Sequence, residues 1–113
     1  MPIHLQREIE RLKKQTLSLS ASVEDNLRRA VQSIINCDRE TAAQAILTDQ
    51  DIDHTEVDVE EECLKILALH QPVAIDLRFV VSVLKMNNDL ERIGDLAVNI
   101  AHTAAALANQ PPL

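Results

Sequence analysis

The sequence predicts an all-α fold, an antiparallel three-helix bundle with long helices spanning residues 1–113 as a single domain. Three observations carry that expectation. Breakers are nearly absent, since the 113 residues hold one Gly and their four Pro stand at positions 2, 72, 111 and 112, leaving long stretches free to stay helical. The composition, 46% hydrophobic and 26% charged with one aromatic residue, supplies enough aliphatic side chains for one core. Apolar positions then recur in alternating steps of three and four, the spacing of a helix face buried against other helices.

The first helix is expected over residues 4–36. Its stripe runs Leu5, Ile9, Leu12, Thr16, Leu19, Val23, Leu27, Ala30 or Val31, and Ile34, a heptad-like pattern with one four-residue stutter after Val23. Arg7, Arg11, Lys13 and Lys14 are interleaved with Glu8 and Glu10 and read as a solvated face. Asn36-Cys37-Asp38 is the expected break, with Asp38 placed to cap the next helix by accepting from its first free amides.

The second helix is expected over residues 39–69, with the seam Ala45, Asp49, Ile52, Glu56, Val59, Cys63, Ile66 and His70. Two acids therefore lie on a face that should be buried. A buried carboxylate must be protonated, paired or metal-bound; the alternative is that Asp49 and Glu56 fix register by pairing with a neighbour's Lys or Arg. Asp53 lies one turn from Asp49, in the most acidic part of the chain.

Pro72 disfavours helical geometry at Gln71 and suits the first turn of a third helix, expected over residues 72–109 and stopped by the NQPPL tail. This helix carries two demands. One face, Val83, Met86, Leu90, Ile93, Ala97, Ile100, Ala104 and Leu107, reads as core, while its neighbour runs Asn88, Glu91, Arg92, Asp95, Asn99 and His102. Glu91 and Asp95 at i and i+4 repel by roughly 0.2 to 0.5 kcal/mol on an isolated helix.

Antiparallel neighbours joined by a short turn put residues equidistant from that turn at one height. Pivoting on Gln71 sets Asp51 beside Glu91 and Asp53 beside Asp89; pivoting near Cys37 and Asp38 brings Asn26 to the height of Asp49 and Ser22 to that of Asp53. Asp49, Asp53, Glu91 and Asp95 then share a level, with Glu56, Asn88 and Asn99 as weaker additions. Four converging carboxylates call for a multivalent counter-charge. Oxygen-only donors suit hard ions such as Mg2+, Mn2+, Ca2+ or iron and do not suit a thiolate zinc site. A divalent or trivalent ion held by carboxylates, iron, manganese, magnesium or zinc, is the expected cofactor.

The net charge of −7 and the single Phe argue against nucleic-acid binding by phosphate neutralisation or base stacking. No run of eighteen apolar residues occurs, so no membrane insertion is expected. The N-terminal MPIHLQREIERLKK lacks a signal-peptide core, so a cytoplasmic location is expected. Cys37 and Cys63 form no CxxC or zinc spacing and read as reduced thiols. Gly94 sits inside a helix, where it permits close packing, and no Gly-rich phosphate cradle exists.

The run NDLERIGDLAVNIA at 88–101, the preceding QPVAIDLR at 71–78 and the acidic DQDID at 49–53 resemble the PhoU family of phosphate-transport regulators over nearly the whole chain. The resemblance implies a three-helix bundle whose ExxxD-type motifs bind metal, here Glu91 with Asp95 and Asp49 with Asp53. It also implies a non-enzymatic adaptor between a phosphate-transporter ATPase and a sensor histidine kinase, peripheral at the inner membrane face through those partners. Family members typically carry two tandem three-helix repeats where this chain has length for one, so a homodimer is expected. Two other readings stand beside this one. A carboxylate-bridged metalloenzyme of helical-bundle type would want Glu-x-x-His pairs, of which Asp51-x-x-His54 is the nearest approximation; a purely structural dimerisation module would leave the acids to solvate the surface.

Overall fold

The computed structural model describes residues 2–109, which form three helices, α1 (Pro2–Ile35), α2 (Arg39–His70) and α3 (Ala74–Ala108). The expected bounds 4–36, 39–69 and 72–109 agree within two residues at every end. Pro111 and Pro112, the expected stop of α3, lie outside the described residues. Successive helices reverse direction, each packs on both of the others, and the bundle is a rod of 64 × 17 × 16 Å.

The first reversal is specified locally. Cys37 adopts a left-handed conformation at φ 51, the Asp38 amide reaches back to the Ser33 carbonyl at 2.9 Å and the Cys37 amide to Ile34 at 3.2 Å, the paired bonds that close a helix on an αL residue. Asp38 then caps α2, its carboxylate accepting from the Glu40 and Thr41 amides. At the second reversal Gln71 closes α2 with φ 43 and Val73 is the N-cap of α3. Pro72 is therefore not in the first turn of α3 as expected. Gln71 takes the left-handed cap, and the buried Pro72 with the extended Val73 turns the chain before helix resumes at Ala74.

The core has two halves. One holds the large side chains, among them Leu12, Leu19, Val59, Ile66, Val80 and Leu90; the other is built on Ala30, Ala42, Ala45, Ala97, Ala101 and Ala104. The α2 seam is buried as expected from Ala45 to Ile66, with Ala42 added and His70 only half-buried. On α1 the expected stutter does not occur: Asn26 and Ser33 take inner positions while Leu27 and Ile34 move to the flank. The Asn26 amide donates to the Ala45 carbonyl at 2.9 Å and the Ser33 hydroxyl to Ala30 at 2.6 Å, so both polar groups are satisfied inside.

The largest departure is on α3. Val83, Leu90, Ala97 and Ala104 are buried as expected, but they alternate with Val80, Asn87, Gly94 and Ala101. Met86 and Leu107 are exposed, and Ile93 and Ile100 are half-buried. The helix is turned so that its smallest residues, not its largest, face α2 where α2 carries Asp49 and Glu56.

Candidate functional site

Asp49 and Glu56 sit on the α2 seam between the two halves of the core and are almost fully buried, at 7% and 5% exposure. Asp49 Oδ1 and Glu56 Oε1 have no hydrogen-bond partner, and neither carboxylate belongs to a salt bridge among the described residues. The register-fixing ion pairs with a neighbour's Lys or Arg are thus not formed.

What makes room for them is Gly94. A Cβ at that position would stand 3.0 Å from Asp49 Oδ1 and 3.8 Å from Glu56 Oε1, so the bare Cα hydrogens of α3 form the wall against which the carboxyls rest. Asn87, one heptad earlier, donates from Nδ2 to the Glu56 carbonyl at 2.9 Å. Its Oδ1 is buried without a partner, a third orphaned oxygen at the same place.

A cleft of about 240 Å³ opens from this point to the surface between α2 and α3, lined by Asp53, Glu56, Val57, Glu60, Asn87, Glu91 and Asp95. Asp53, Glu91 and Asp95 are exposed on its rim. Burial pushes the Asp49 carboxyl up to about 6, with the charges of Asp53 and Asp95 adding to the effect. Burial likewise raises Glu56 to about 7, reinforced by Asp53, Glu91, Asp49 and Asp95. Both shifts favour the protonated carboxyls, because no basic side chain pairs with either acid among the described residues.

The structure brings together most of the residues singled out from the sequence. Asp53, Glu91 and Asp95 share the cleft, Asp49 lies immediately beneath, and Glu56, ranked as a weaker addition, is central. Asn88 and Asn99 are exposed and do not line the cleft; the turn of α3 puts Asn87 inward in place of Asn88. Asn26 does not extend the site to α1, because its amide is held by Ala45 and its Oδ1 accepts from Arg29 at 3.1 Å. Ser22 and His102 are exposed. Asn87 and Gly94 were not read from the sequence as site residues. The signal was there, in Val80, Asn87, Gly94 and Ala101 recurring every seven residues.

Among the described residues no three His, Cys, Asp or Glu side chains already stand as a formed metal-coordination group. The donors nonetheless fit a hard cation chemically: carboxylate and amide oxygens, three of them buried and unpartnered, with no soft ligand in the cleft.

A family model described as the PhoU domain matches residues 16–104. The chain belongs to the PhoU family. Among PhoU relatives, the phosphate-specific transport system accessory protein PhoU homolog of Aquifex aeolicus is 39% identical over 107 residues, covering 95% of this chain and 48% of that protein. The PhoU accessory protein of Escherichia coli K12 is 37% identical over 97 residues, covering 86% and 40%. The crystal structure of PhoU from Pseudomonas aeruginosa superposes with a TM-score of 0.89 at 36% identity, over 96% of this chain and 53% of that one. The chain thus spans about half the length of the relatives it matches, and the three-helix PhoU bundle is its fold. No helix among the described residues is long and apolar enough to cross a membrane.

Proposed function

We propose that this PhoU-family chain is a non-enzymatic accessory of phosphate uptake, an adaptor that links a phosphate-transporter ATPase to a sensor kinase and carries a carboxylate-bound metal ion between α2 and α3. The family supports the accessory role, since the relatives are named for the phosphate-specific transport system. The observation that carries the metal reading is the convergence of orphaned oxygens on Asp49, Glu56 and Asn87 beneath the Asp53, Glu91 and Asp95 rim.

Asp49, Asp53, Glu91 and Asp95 would hold the ion, with Glu56 as a fifth carboxylate. A bound cation supplies the counter-charge that the bundle lacks. The chain's own contribution is to keep two of these carboxyls out of water, protonated until displaced, and to leave space for them opposite Gly94. Because metal binding deprotonates its ligands, it should release protons near neutrality and tie α2 to α3.

The test is metal content by plasma mass spectrometry of protein purified without chelator, for the wild type and for Asp49→Ala, Asp53→Ala, Glu91→Ala and Asp95→Ala. The expected result is a stoichiometric ion in the wild type that each substitution depletes while the helical signal persists. A wild type without metal that also fails to bind added Mn2+, Fe3+ or Zn2+ at micromolar concentration sinks the reading.

A further inference from the structure

The three grooves between helices differ in character. The α1–α2 groove is charged, lined by Arg11, Asp58, Glu61, Glu62 and Lys65, and the α1–α3 groove is apolar where Leu17, Phe79, Val83 and Met86 line it. The α2–α3 groove is both. Its middle is the acidic cleft, and Val57 already lies among the acids that line it.

Helical spacing carries that groove onward from the cleft toward the Gln71 turn. On α2, Val57 and Glu60 line the cleft, so Leu64 and Leu67, one heptad later, continue their two rows. On α3, Glu91 and Asp95 line it; Leu84 and Leu77 extend the row of Glu91, and Val81 that of Asp95. The bond from Asn87 to the Glu56 carbonyl sets the register of this antiparallel pair. Eight residues from it along each helix, Leu64 comes level with Phe79, between Leu77 and Val81. The groove therefore has an apolar half and an acidic half.

Neither half is filled by the described residues. Val57 is 52% exposed, Leu64 51%, Leu77 40% and Val81 37%, while Leu67 and Leu84 are half-buried against the core. In the acidic half Glu56 and Asn87 are more than nine-tenths buried, and each leaves an oxygen without a partner. From Asp53 to Leu67 the groove runs about 21 Å at 1.5 Å per residue, the length of a helix of roughly four turns.

We propose that the α2–α3 groove docks an amphipathic helix of a partner protein, whose aliphatic stripe lies toward the Gln71 turn and whose basic end enters the acid cleft. Two packed helices leave a groove that a further helix fills by the ridge-into-groove contact that builds the bundle itself. Charge selects the occupant. Asp53, Glu60, Glu91 and Asp95 are exposed along the groove, and none of them belongs to a salt bridge among the described residues. An acidic segment is repelled there, and so is a second copy of a chain with net charge −7. Arg78 and Lys85, exposed one residue beyond Leu77 and Leu84, border the apolar half and keep the partner's bases at the cleft end, which sets its direction. Arg92, in the corresponding place beside Glu91, is paired with Asp89 at 4.0 Å. This docking gives the adaptor reading, on which it rests, a defined contact. A bundle whose groove takes no helix could still serve as an adaptor through another face, and its metal content is measured separately.

The experiment is fluorescence anisotropy in excess chelator with a labelled synthetic peptide of about 16 residues. It is an Ala- and Gln-based helix with a Leu stripe in its first half and Arg residues in its last turn, set beside a scrambled peptide of the same composition. The groove variants are Leu64→Asn with Leu77→Asn in the apolar half, and Asp53→Asn with Glu91→Gln in the acidic half. The controls, Leu17→Asn with Leu47→Asn and Glu40→Gln with Asp51→Asn, make equal changes at exposed positions outside the groove, and circular dichroism verifies the fold of each. The wild type should bind the striped peptide with a dissociation constant on the order of 10 μM. The apolar pair should weaken binding at least about tenfold through the lost burial of two leucines. The acidic pair should weaken it to a similar degree and also reduce its salt dependence, and both control pairs should leave it unchanged. A wild type that does not bind at 100 μM overturns the proposal, as does equal binding of the scrambled peptide. Full affinity in either groove pair, or an equal loss in a control pair, overturns it too.

Discussion

Metal-free protein should lose stability as pH rises from 5 to 8, the reverse of an acid-destabilised bundle. The cause is the pair of carboxyls opposite Gly94. Asp49 moves from an ordinary 3.8 to about 6 and Glu56 from 4.5 to about 7 on folding. A raised carboxyl binds its proton more tightly in the folded state, so its favourable contribution is complete below the unfolded values. It is lost as pH climbs through the folded ones. Taken alone, each displacement corresponds to about 3 kcal/mol. The Asp49 charge is part of the Glu56 displacement, and the charges of Asp53 and Asp95 are part of both, so the two do not simply add and the pair together is worth on the order of a few kcal/mol. That is a large share of the 5–15 kcal/mol that holds a typical domain. Glu8 and Asp38, whose pKa values are lowered, lose their contribution only on further acidification; Glu62, raised by its hydrogen bond to Glu8 and by burial, acts in the same direction as the pair and is present in both proteins compared below. Urea unfolding followed by circular dichroism in excess chelator, at half-unit steps from pH 5 to 8, reads the effect. The Asp49→Asn, Glu56→Gln double variant isolates it from the histidines. The wild-type curve should fall more steeply than that of the double variant, by a few kcal/mol over the range. Wild-type stability that is level or rising over this range, or a double variant with the same slope, refutes the burial argument.

The remaining predictions concern single positions. Gly94→Ala places a Cβ 3.0 Å from Asp49 Oδ1 and gains up to about 1 kcal/mol of helix propensity, so unfolding free energy should change by less than about 1 kcal/mol. The displaced Asp49 carboxylate should weaken Mn2+ affinity at least tenfold by titration calorimetry. Cys37→Gly relieves a left-handed non-glycine residue at φ 51 and should raise stability by about 1 kcal/mol in urea unfolding. Leu12→Ala empties a fully buried position in the large-residue half of the core and should cost about 2–5 kcal/mol, read as a lower unfolding midpoint.

How much of this was legible differs from helix to helix for a physical reason. On α2 the apolar positions on either side of Asp49 and Glu56 fix the face without ambiguity, so two acids could be placed inside the bundle from spacing alone. Equal heights across the Gln71 turn then brought Glu91 and Asp95 to them, and the bond from Asn87 to the Glu56 carbonyl shows that register to within a residue. On α1 and α3 the apolar residues outnumber the core positions. Leu27 and Ile34 look better suited to an interior than Asn26 and Ser33, as Met86, Ile93 and Ile100 do beside Asn87, Gly94 and Ala101. Intrinsic hydrophobicity therefore selects the wrong stripe, one residue and about 100° away.

What overrides it on α3 is the partner helix. A seam that carries two carboxyls needs small or hydrogen-bonding residues across from it. At 94 anything with a Cβ crowds Asp49, and at 87 a donor meets the Glu56 carbonyl. Turning α3 to supply both carries Met86, Ile93 and Ile100 out of the core toward α1 and solvent. The acidic cleft and the apolar outer stripe are thus two results of one rotation, and the acids of α2 are its common cause. On this account Asp49→Leu with Glu56→Leu removes the reason for the rotation. In that variant Met86 and Ile93 should turn inward, gaining protection of their methyl groups from paramagnetic relaxation by a soluble spin label. Unchanged methyl exposure would mean that Gly94 and Ala101 hold the register of α3 without help from the carboxyls opposite.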